Sequence, residues 1–240
     1  MIKTVPQTGS TNGDLLAALR AGERVTEGDW LVADRQTAGR GRQGRQWFDG
    51  AGNFMGSTVV RFAPCDPPPA SFALAAGLAV YEAVVPLLPD PAPLRLKWPN
   101  DLTHAGAKLA GILLEREGQA LVVGIGVNLA AVPELEGRAT VALSDLAPAP
   151  DRDLFAEALA ASLATELERW RSFGLDPLVR RWQAAAHPPG TPLTVAPPGE
   201  EPLTGTFDGL TEDGALRLRL ADGTARVMHA GDVFFAREKG

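Results

Sequence analysis

The spacing of hydrophobic residues predicts a β-sheet in the first half of the chain. Apolar and polar residues alternate in segments 53–62 and 120–129 with the period of two that is typical of strands. Further strands are predicted at 30–33, 94–98 and 108–115. The last of these joins 120–129 in a hairpin around residues 116–119.

Helical patterns flank these strands. Residues 14–20 predict a helix that is capped by one of three polar residues, Ser10, Thr11 or Asn12. Ser71 is expected to cap an apolar, alanine-rich helix that ends near Pro86. Segment 151–186 carries leucine and aromatic residues at helical spacing and breaks into two helices near Gly174 and Pro177, with Asp151 or Asp153 as its cap.

The chain-breaking residues from His187 to Gly190 predict a boundary between a large domain, 1–187, and a small one, 188–240. Short strands alternate with turns after this point, and Asp213-Gly214 and Asp222-Gly223 are hairpin signals. This regular spacing is typical of a small all-β barrel of about fifty residues.

One face of segment 120–129 carries unusually small side chains. Gly124, Gly126 and Asn128 alternate with four apolar residues that should pack against helices, Val123, Ile125, Val127 and Leu129. Glycine weakens a strand and often marks close approach by a ligand or by another chain segment. We favour a ligand here, with a crowded chain crossing as the alternative.

Three arginines and three glycines alternate in the segment from Gly39 to Arg45. Guanidinium groups bind phosphate or carboxylate through paired donors, and glycine lets backbone amides approach a ligand closely. The loop therefore predicts an anion-binding site, although a flexible, solvated loop is an alternative. A dinucleotide-binding motif is disfavoured because residues 46–52 predict a turn where that motif requires a helix.

Composition narrows the function classes. The chain has 240 residues, 45% of them hydrophobic, and a formal net charge of −6, which argues against general binding of DNA. It contains a single cysteine, Cys65, which fits a reducing compartment, and it lacks an N-terminal apolar leader. We expect a cytoplasmic protein that does not enter a membrane.

Two lysines add to the positive charge of the arginine loop. Lys97 begins the segment Lys-Trp-Pro-Asn-Asp, which ends at Asp101, and Lys108 begins the predicted hairpin. Taken alone, each is interpreted as an ordinary surface lysine. Together with the arginines, with Asp101 as a Mg²⁺ or ribose ligand and with the glycine-faced strand, they suit transfer at a phosphorus centre. The three histidines lie far apart, and motifs for zinc or for an activated nucleophile are absent from the sequence.

Five motifs in this order resemble those of the biotin protein ligases. They are Ser10-Thr-Asn12, Gln36 to Trp47, Lys97 to Asp101, Lys108 to Leu113, and Gly124 to Asn128. The resemblance extends over nearly the whole chain. It implies an α+β fold, in which a mixed β-sheet backed by helices, as in class II synthetases, is followed by a small SH3-like β-barrel.

The resemblance also implies a two-step reaction. Biotin and ATP give biotinyl-5′-AMP and pyrophosphate, and a lysine of a biotin carboxyl carrier protein, in acetyl-CoA carboxylase or a related enzyme, then takes the biotinyl group. Lys108 and Arg42 are the implied catalytic residues. The implied biotin-binding residues are Ser10, Thr11, Asn12, Gln36, Arg40, Gly41, Arg42, Lys108 and Gly111.

For ATP the resemblance implies another set, with Asp101 as the residue for Mg²⁺. This set is Arg40, Arg42, Arg45, Trp47, Lys97, Asn100, Asp101 and Asn128.

Gln43 stands where the family commonly has an arginine. Ser10 lies close to residue 1, so we expect no DNA-binding domain, and relatives suggest a homodimer. A lipoate or octanoate ligase and a non-catalytic sensor of biotin or nucleotide remain alternatives.

Overall fold

Two β-sheets and four α-helices organise the computed structural model, which describes residues 1–47, 49–132 and 139–235. In chain order the elements are β1 (Ile2–Val5), α1 (Thr11–Arg20), β2 (Trp30–Ala33), β3 (Phe54–Arg61), α2 (Phe72–Val84), β4 (Leu94–Lys97), β5 (Asp101–His104), β6 (Ala107–Glu117), β7 (Ala120–Val127), α3 (Arg152–Phe173), α4 (Leu175–Ala185), β8 (Pro192–Ala196), β9 (Leu203–Leu210), β10 (Leu216–Arg219), β11 (Ala225–Met228) and β12 (Asp232–Phe235).

The first sheet has seven strands in the order β1-β2-β3-β7-β6-β5-β4. The β1–β2 pair is parallel and the other neighbouring pairs are antiparallel, so the predicted mixed sheet is confirmed. The sequence pattern misses β1, which is short and half polar, and it misses β5 because the turn-forming residues Pro99 and Asn100 precede it.

Helix α2 lies at the centre of the core, against α3, α4 and the sheet. The stretch Pro69–Leu87 is apolar and long enough to span a membrane, but it is 61% buried within the fold, as a core helix would be. Ser71 occupies the predicted cap position without making a capping bond. Its hydroxyl instead donates to the Pro68 carbonyl at 2.6 Å and accepts from the Trp170 indole at 2.9 Å, which ties α2 to α3.

Two other helix starts agree with the sequence. Ser10 caps α1 and accepts from the Gly13 amide, but the helix begins at Thr11, three residues earlier than predicted. Asp151 caps α3, and Gly174 separates α3 from α4 with a φ of 70°. Because α1 begins early, Thr11 and Asn12 lie in its first turn, where both side chains are buried.

The second sheet has five antiparallel strands in the order β11-β10-β9-β8-β12. Within the described residues β11 and β12 do not pair, so the predicted small β-domain is present as an open sheet rather than as a closed barrel. Three of the four residues of β11 are exposed, including the apolar Val227, so this edge strand is not covered by β12. The predicted boundary at 187/188 lies between α4 and β8 and stays a prediction.

The two sheets meet at His187. Its Nε2 lies 3.3 Å from the Thr103 hydroxyl, and its ring centroid lies 4.4 Å from that of Phe235 in the last strand. Nearby, the Trp98 indole donates to the Gly214 carbonyl at 3.1 Å. Burial, with smaller contributions from the charges of Arg95 and Lys97, lowers the pKa of His187 to about 4.

We predict that His187 makes the folded state less stable as the pH is lowered. Between about pH 6.5 and 4 the unfolded chain binds a proton at this residue and the folded chain does not, so the folded state loses stability as pH decreases through that window. His187→Gln should flatten the dependence of the urea midpoint on pH between 7 and 4.5. The matched change at the exposed His229, His229→Gln, should retain the wild-type slope; equal slopes in all three proteins would contradict the prediction.

Candidate active site

A buried hydrogen-bond network surrounds the first turn of α1. The Thr11 amide donates to Gln36 Oε1 at 2.7 Å, and the Thr11 hydroxyl lies 2.6 Å from the hydroxyl of Ser57 on β3. Ser57 in turn donates to Asn12 Oδ1 at 2.5 Å. These four side chains, all buried, form a polar floor at one end of the predicted site.

Asn12 connects this floor to the arginine loop. Its amide nitrogen donates to Glu115 Oε2 on β6 at 2.9 Å, and the other carboxylate oxygen lies 3.9 Å from Arg40 Nη2. A Cβ at Gly124 would overlap the Asn12 side chain, so the glycine allows Asn12 to lie against β7.

The loop from Gly39 to Trp47 is folded by its own backbone. Gly41 donates to the Arg45 carbonyl at 2.7 Å, and Trp47 donates to the Gly39 carbonyl at 2.9 Å. A short 3-10 turn, Arg42–Gly44, lies at the tip, where Gln43 has a φ of 57°. As expected, no dinucleotide-binding helix follows within the described residues; Phe48, in the predicted turn 46–52, lies outside them.

Arg42 points from this tip toward the turn after β4. Its Nη1 donates to Asn100 Oδ1 at 3.1 Å, and Asn100 is itself fixed by donating to the Ile112 carbonyl at 2.6 Å. Burial lowers the pKa of Arg42, partly offset by the charges of Asp232 and Asp101. Among the described residues no carboxylate lies within ion-pair distance of Arg42, although Arg40 and Arg45 each have one.

The next residue, Asp101, is the first of β5 and binds two lysines. Its carboxylate accepts from Lys108 Nζ at 2.6 Å, and Lys97 Nζ lies 3.5 Å from its other oxygen. Burial opposes ionisation of Asp101, but the two ammonium groups outweigh it and hold the pKa below its ordinary value. Arg42 and Lys108, the two predicted catalytic residues, thus bind consecutive residues of the chain, Asn100 and Asp101.

The carboxylates of this site do not form a metal-binding group. The described part of the chain contains no cluster of three or more histidine, cysteine or acidic residues that would hold a metal ion. Asp101, the residue predicted for Mg²⁺, has both oxygens turned toward lysine ammonium groups. The Asp101 carboxylate is therefore better suited to act as a counter-ion for the two lysines than to bind a metal ion.

The glycine face of β7 is filled by protein side chains in this structure. Gly126 lies against the Trp47 indole, which a Cβ at that position would overlap, and Asn12 covers Gly124. Lys108 Nζ lies 5.6 Å from the centre of the Trp47 ring. The volume that the sequence assigned to a ligand is therefore taken by Asn12 and Trp47, although the Trp47 Nε1 is buried without a hydrogen-bond partner.

The remaining predicted residues lie around this centre. Gly111 lies close to the Lys108 ammonium group and to the Trp47 indole, since a Cβ at this position would lie 2.9 Å from Lys108 Nζ. Asn128 lies at the end of β7, and its amide donates to the backbone carbonyls of Lys108 and Val141 at 3.4 and 3.3 Å. Asn128 thus supports the strand that carries Lys108.

Sequence reasoning missed several residues that contact the predicted ones, among them Ser57, Glu115 and Asp232. Arg45 pairs with Asp232 at the start of β12, so the second sheet reaches the arginine loop. Ser57 has a signal in the sequence, because two hydroxyl residues, Ser57 and Thr58, interrupt the apolar centre of β3. The signals for Glu115 and Asp232 are weak, since each looks like an ordinary surface acid until the fold places it beside an arginine.

Comparisons with known proteins agree with this architecture. Residues 6–130 match the model of the biotin/lipoate A/B protein ligase family, and residues 194–236 match the biotin protein ligase C terminal domain. A biotin--[acetyl-CoA-carboxylase] ligase of Paracoccus denitrificans is 38% identical over 95% of this chain and 98% of its own length. The enzyme of the same name from Mycobacterium tuberculosis is 38% identical over 98% and 89%.

Solved structures give the same picture. The biotin protein ligase from Aquifex aeolicus in complex with biotin and ATP superimposes with a TM-score of 0.85 at 26% identity, covering 98% of each chain. The biotin protein ligase from Leishmania major in complex with biotinyl-5-AMP superimposes with a TM-score of 0.66 at 25% identity, covering 95% of this chain and 98% of its own.

We predict that the pair between Arg45 and Asp232 holds the arginine loop. Asp232→Asn removes the charge that anchors Arg45, so backbone amides of residues 39–47 should exchange with deuterium about threefold to tenfold faster. The matched control is Asp208→Asn in the same sheet, since Asp208 pairs with Arg217 and Arg219 instead of the loop. Equal exchange in the two variants, measured by mass spectrometry, would contradict this role.

Proposed function

The chain belongs to the biotin protein ligases of the biotin/lipoate A/B protein ligase family, and from that premise we propose that it activates biotin with ATP and transfers it to a carrier protein. One observation of the site supports this most directly. Two consecutive residues, Asn100 and Asp101, bind the two cations: Asn100 accepts from Arg42, and Asp101 accepts from Lys108. Two cations fixed by consecutive residues suit a reaction in which a carboxylate and a triphosphate must meet despite their mutual repulsion.

Lys108 and Arg42 are the catalytic residues of this proposal. In the first step the biotin carboxylate oxygen bonds to the α-phosphorus of ATP, and the bond from that phosphorus to the bridging oxygen breaks, releasing pyrophosphate. Negative charge accumulates on the phosphoryl oxygens in the transition state, where Lys108 and Arg42 stabilise it. Arg42 is suited to this because it is half-buried and is paired with an amide oxygen rather than a carboxylate.

In the second step a lysine amine of the carrier bonds to the activated carbonyl carbon. The carbon–oxygen bond to the phosphate breaks, AMP leaves, and the nitrogen loses a proton to give an amide. Lys108 is placed to stabilise charge on the departing phosphate as well. We propose the carrier as a biotin carboxyl carrier domain, since the relatives from Paracoccus and Mycobacterium are named for acetyl-CoA carboxylase.

The two substrates would occupy different parts of the site. We assign biotin to the floor of α1 and to the loop above it, through Ser10, Thr11, Asn12, Gln36, Arg40, Gly41, Arg42, Lys108 and Gly111. We assign ATP to the side that faces β4 and β12, through Arg40, Arg42, Arg45, Trp47, Lys97, Asn100, Asp101 and Asn128. Because Trp47 covers Gly126 in this structure, the indole must shift or form a wall of the bound state.

Mg²⁺ would enter with the nucleotide. Asp101, the carboxylate that binds Lys108, is neutralised by Lys97 and Lys108, so the described residues offer the ion little without phosphate oxygens. A cytoplasmic location and pairing of two chains are further expectations of this proposal.

The experiment that tests the function is transfer of biotin to a carrier domain. Incubation of the protein with biotin, MgATP and a biotin carboxyl carrier domain should raise the mass of the carrier by one biotinyl group, at one lysine. Lipoate or octanoate in place of biotin distinguishes a lipoate ligase, and adenylate formation without transfer distinguishes a sensor. An unmodified carrier with biotin and a modified one with lipoate would overturn the proposal.

We predict that Lys108→Ala reduces adenylate formation by at least a hundredfold and weakens biotin binding by less than tenfold. Lys108 acts mainly on charge that develops in the transition state, so its loss should affect the rate more than binding. Lys3→Ala, at an exposed position on β1, is the matched control. Pyrophosphate exchange and biotin titration measure the two effects; near-normal exchange in Lys108→Ala would end the catalytic assignment.

A further inference from the structure

Glu115 contacts both parts of the proposed biotin site, although neither the motifs nor the resemblance includes it. It lies on β6, two residues before the turn to β7, with its side chain 28% exposed. One carboxylate oxygen accepts from Asn12 Nδ2 at 2.9 Å, and the other lies 3.9 Å from Arg40 Nη2. One side chain thus joins the floor under α1 to the loop above it.

The first contact fixes the direction of a hydrogen-bond chain. A carboxylate only accepts, so Glu115 must face the amide nitrogen of Asn12, and Asn12 Oδ1 must face Ser57. The single hydroxyl proton of Ser57 is then used on Asn12. Two oxygens 2.6 Å apart need a proton between them, so Thr11 must donate its hydroxyl proton to Ser57 in preference to Gln36 Oε1, which lies 3.1 Å away.

This direction determines what Thr11 offers a ligand. Its hydroxyl proton is already committed to Ser57, and Gln36 Oε1 receives the Thr11 amide at 2.7 Å. Both side-chain oxygens are then acceptors at the floor of the site, which suits a ligand group with N–H donors, as the cyclic urea of biotin has. Without Glu115 the Asn12 amide is free to turn over, and the order of the chain is lost.

The second contact restrains the loop. Arg40 is 47% exposed and otherwise extends from a glycine-rich segment, so a carboxylate at 3.9 Å limits its motion. The Arg40 side chain also lies 3.4 Å from the position of a Cβ on Gly13, in the first turn of α1. Glu115 therefore favours the arrangement in which the loop lies over the floor.

We propose that Glu115 is a positioning residue for the proposed reaction: it orients Asn12 and Thr11 toward biotin, and it holds Arg40 over the bound adenylate. This inference rests on the proposed function. It assigns two separable effects to one side chain, one on biotin binding through Asn12 and one on retention of biotinyl-5′-AMP through Arg40.

Two substitutions separate these effects. Glu115→Gln keeps an oxygen for Asn12 but removes the charge that attracts Arg40, so adenylate release should become about threefold to tenfold faster with a biotin KM within about threefold of wild type. Glu115→Ala removes both contacts, so its biotin KM should also increase, by about tenfold. The KM for ATP should change less than about twofold in both, which general damage to the fold would not allow.

Glu117 supplies the matched control on the same face of the same strand. It pairs with Arg20 of α1, away from the loop, at 2.7 Å. Glu117→Gln and Glu117→Ala should leave the biotin KM and the adenylate lifetime unchanged. Pyrophosphate exchange gives both KM values, and release of labelled adenylate into excess unlabelled biotin and ATP gives the lifetime.

The outcomes are distinct. Faster adenylate release in Glu115→Gln, with an additional biotin effect in Glu115→Ala, supports both assignments. Glu115 variants that behave like the Glu117 variants overturn the inference while leaving the function in place. A wild-type protein without biotin-dependent exchange overturns the proposed function and, with it, this inference. If Glu115→Ala does not fold, Glu115→Gln alone still decides the role of the charge.

Discussion

The pairing of one partly buried carboxylate with two ammonium groups is the interaction on which the rest of the site depends. Asp101 holds Lys108 and Lys97 together, and without it two cations would lie close to each other in a partly desolvated place. The carboxylate is positioned by the strand pair β4–β5, in which Lys97 and Asp101 are opposite each other. The sheet therefore sets the spacing of the charges before any ligand arrives.

This arrangement leaves the cations in different states. Lys108, Arg40 and Arg45 are each held by a carboxylate, whereas Arg42 has an amide oxygen from Asn100. A carboxylate partner holds a cation in place but also neutralises it, so an arriving phosphate must compete with that partner. When a phosphate binds, Arg42 loses only a hydrogen bond to an amide oxygen, whereas the other cations lose an ion pair. We therefore infer that Arg42 is the first residue of the loop to contact an anion.

The sequence predicts the parts of this site that local patterns encode. The glycine and arginine loop, the lysine that begins β6 and the strands that carry them follow from periodicity and residue type. The contacts between distant segments do not, because Glu115 and Asp232 acquire meaning only when the sheet brings them beside Arg40 and Arg45. The glycine face of β7 predicts close approach and favours a ligand there, whereas the neighbours in the structure are Asn12 and Trp47, whose positions depend on the fold.

The tether through Asp232 gives the second sheet a role beyond its own stability. Arg45 and Arg42 belong to the same short turn, and the amide of Arg45 donates to the carbonyl of Arg42 at 3.2 Å. A carboxylate on β12 that fixes Arg45 therefore also limits where Arg42 can lie. Because Phe235 on the same strand lies against Lys97 and His187, the junction between the two sheets and the position of the catalytic cations are mechanically connected.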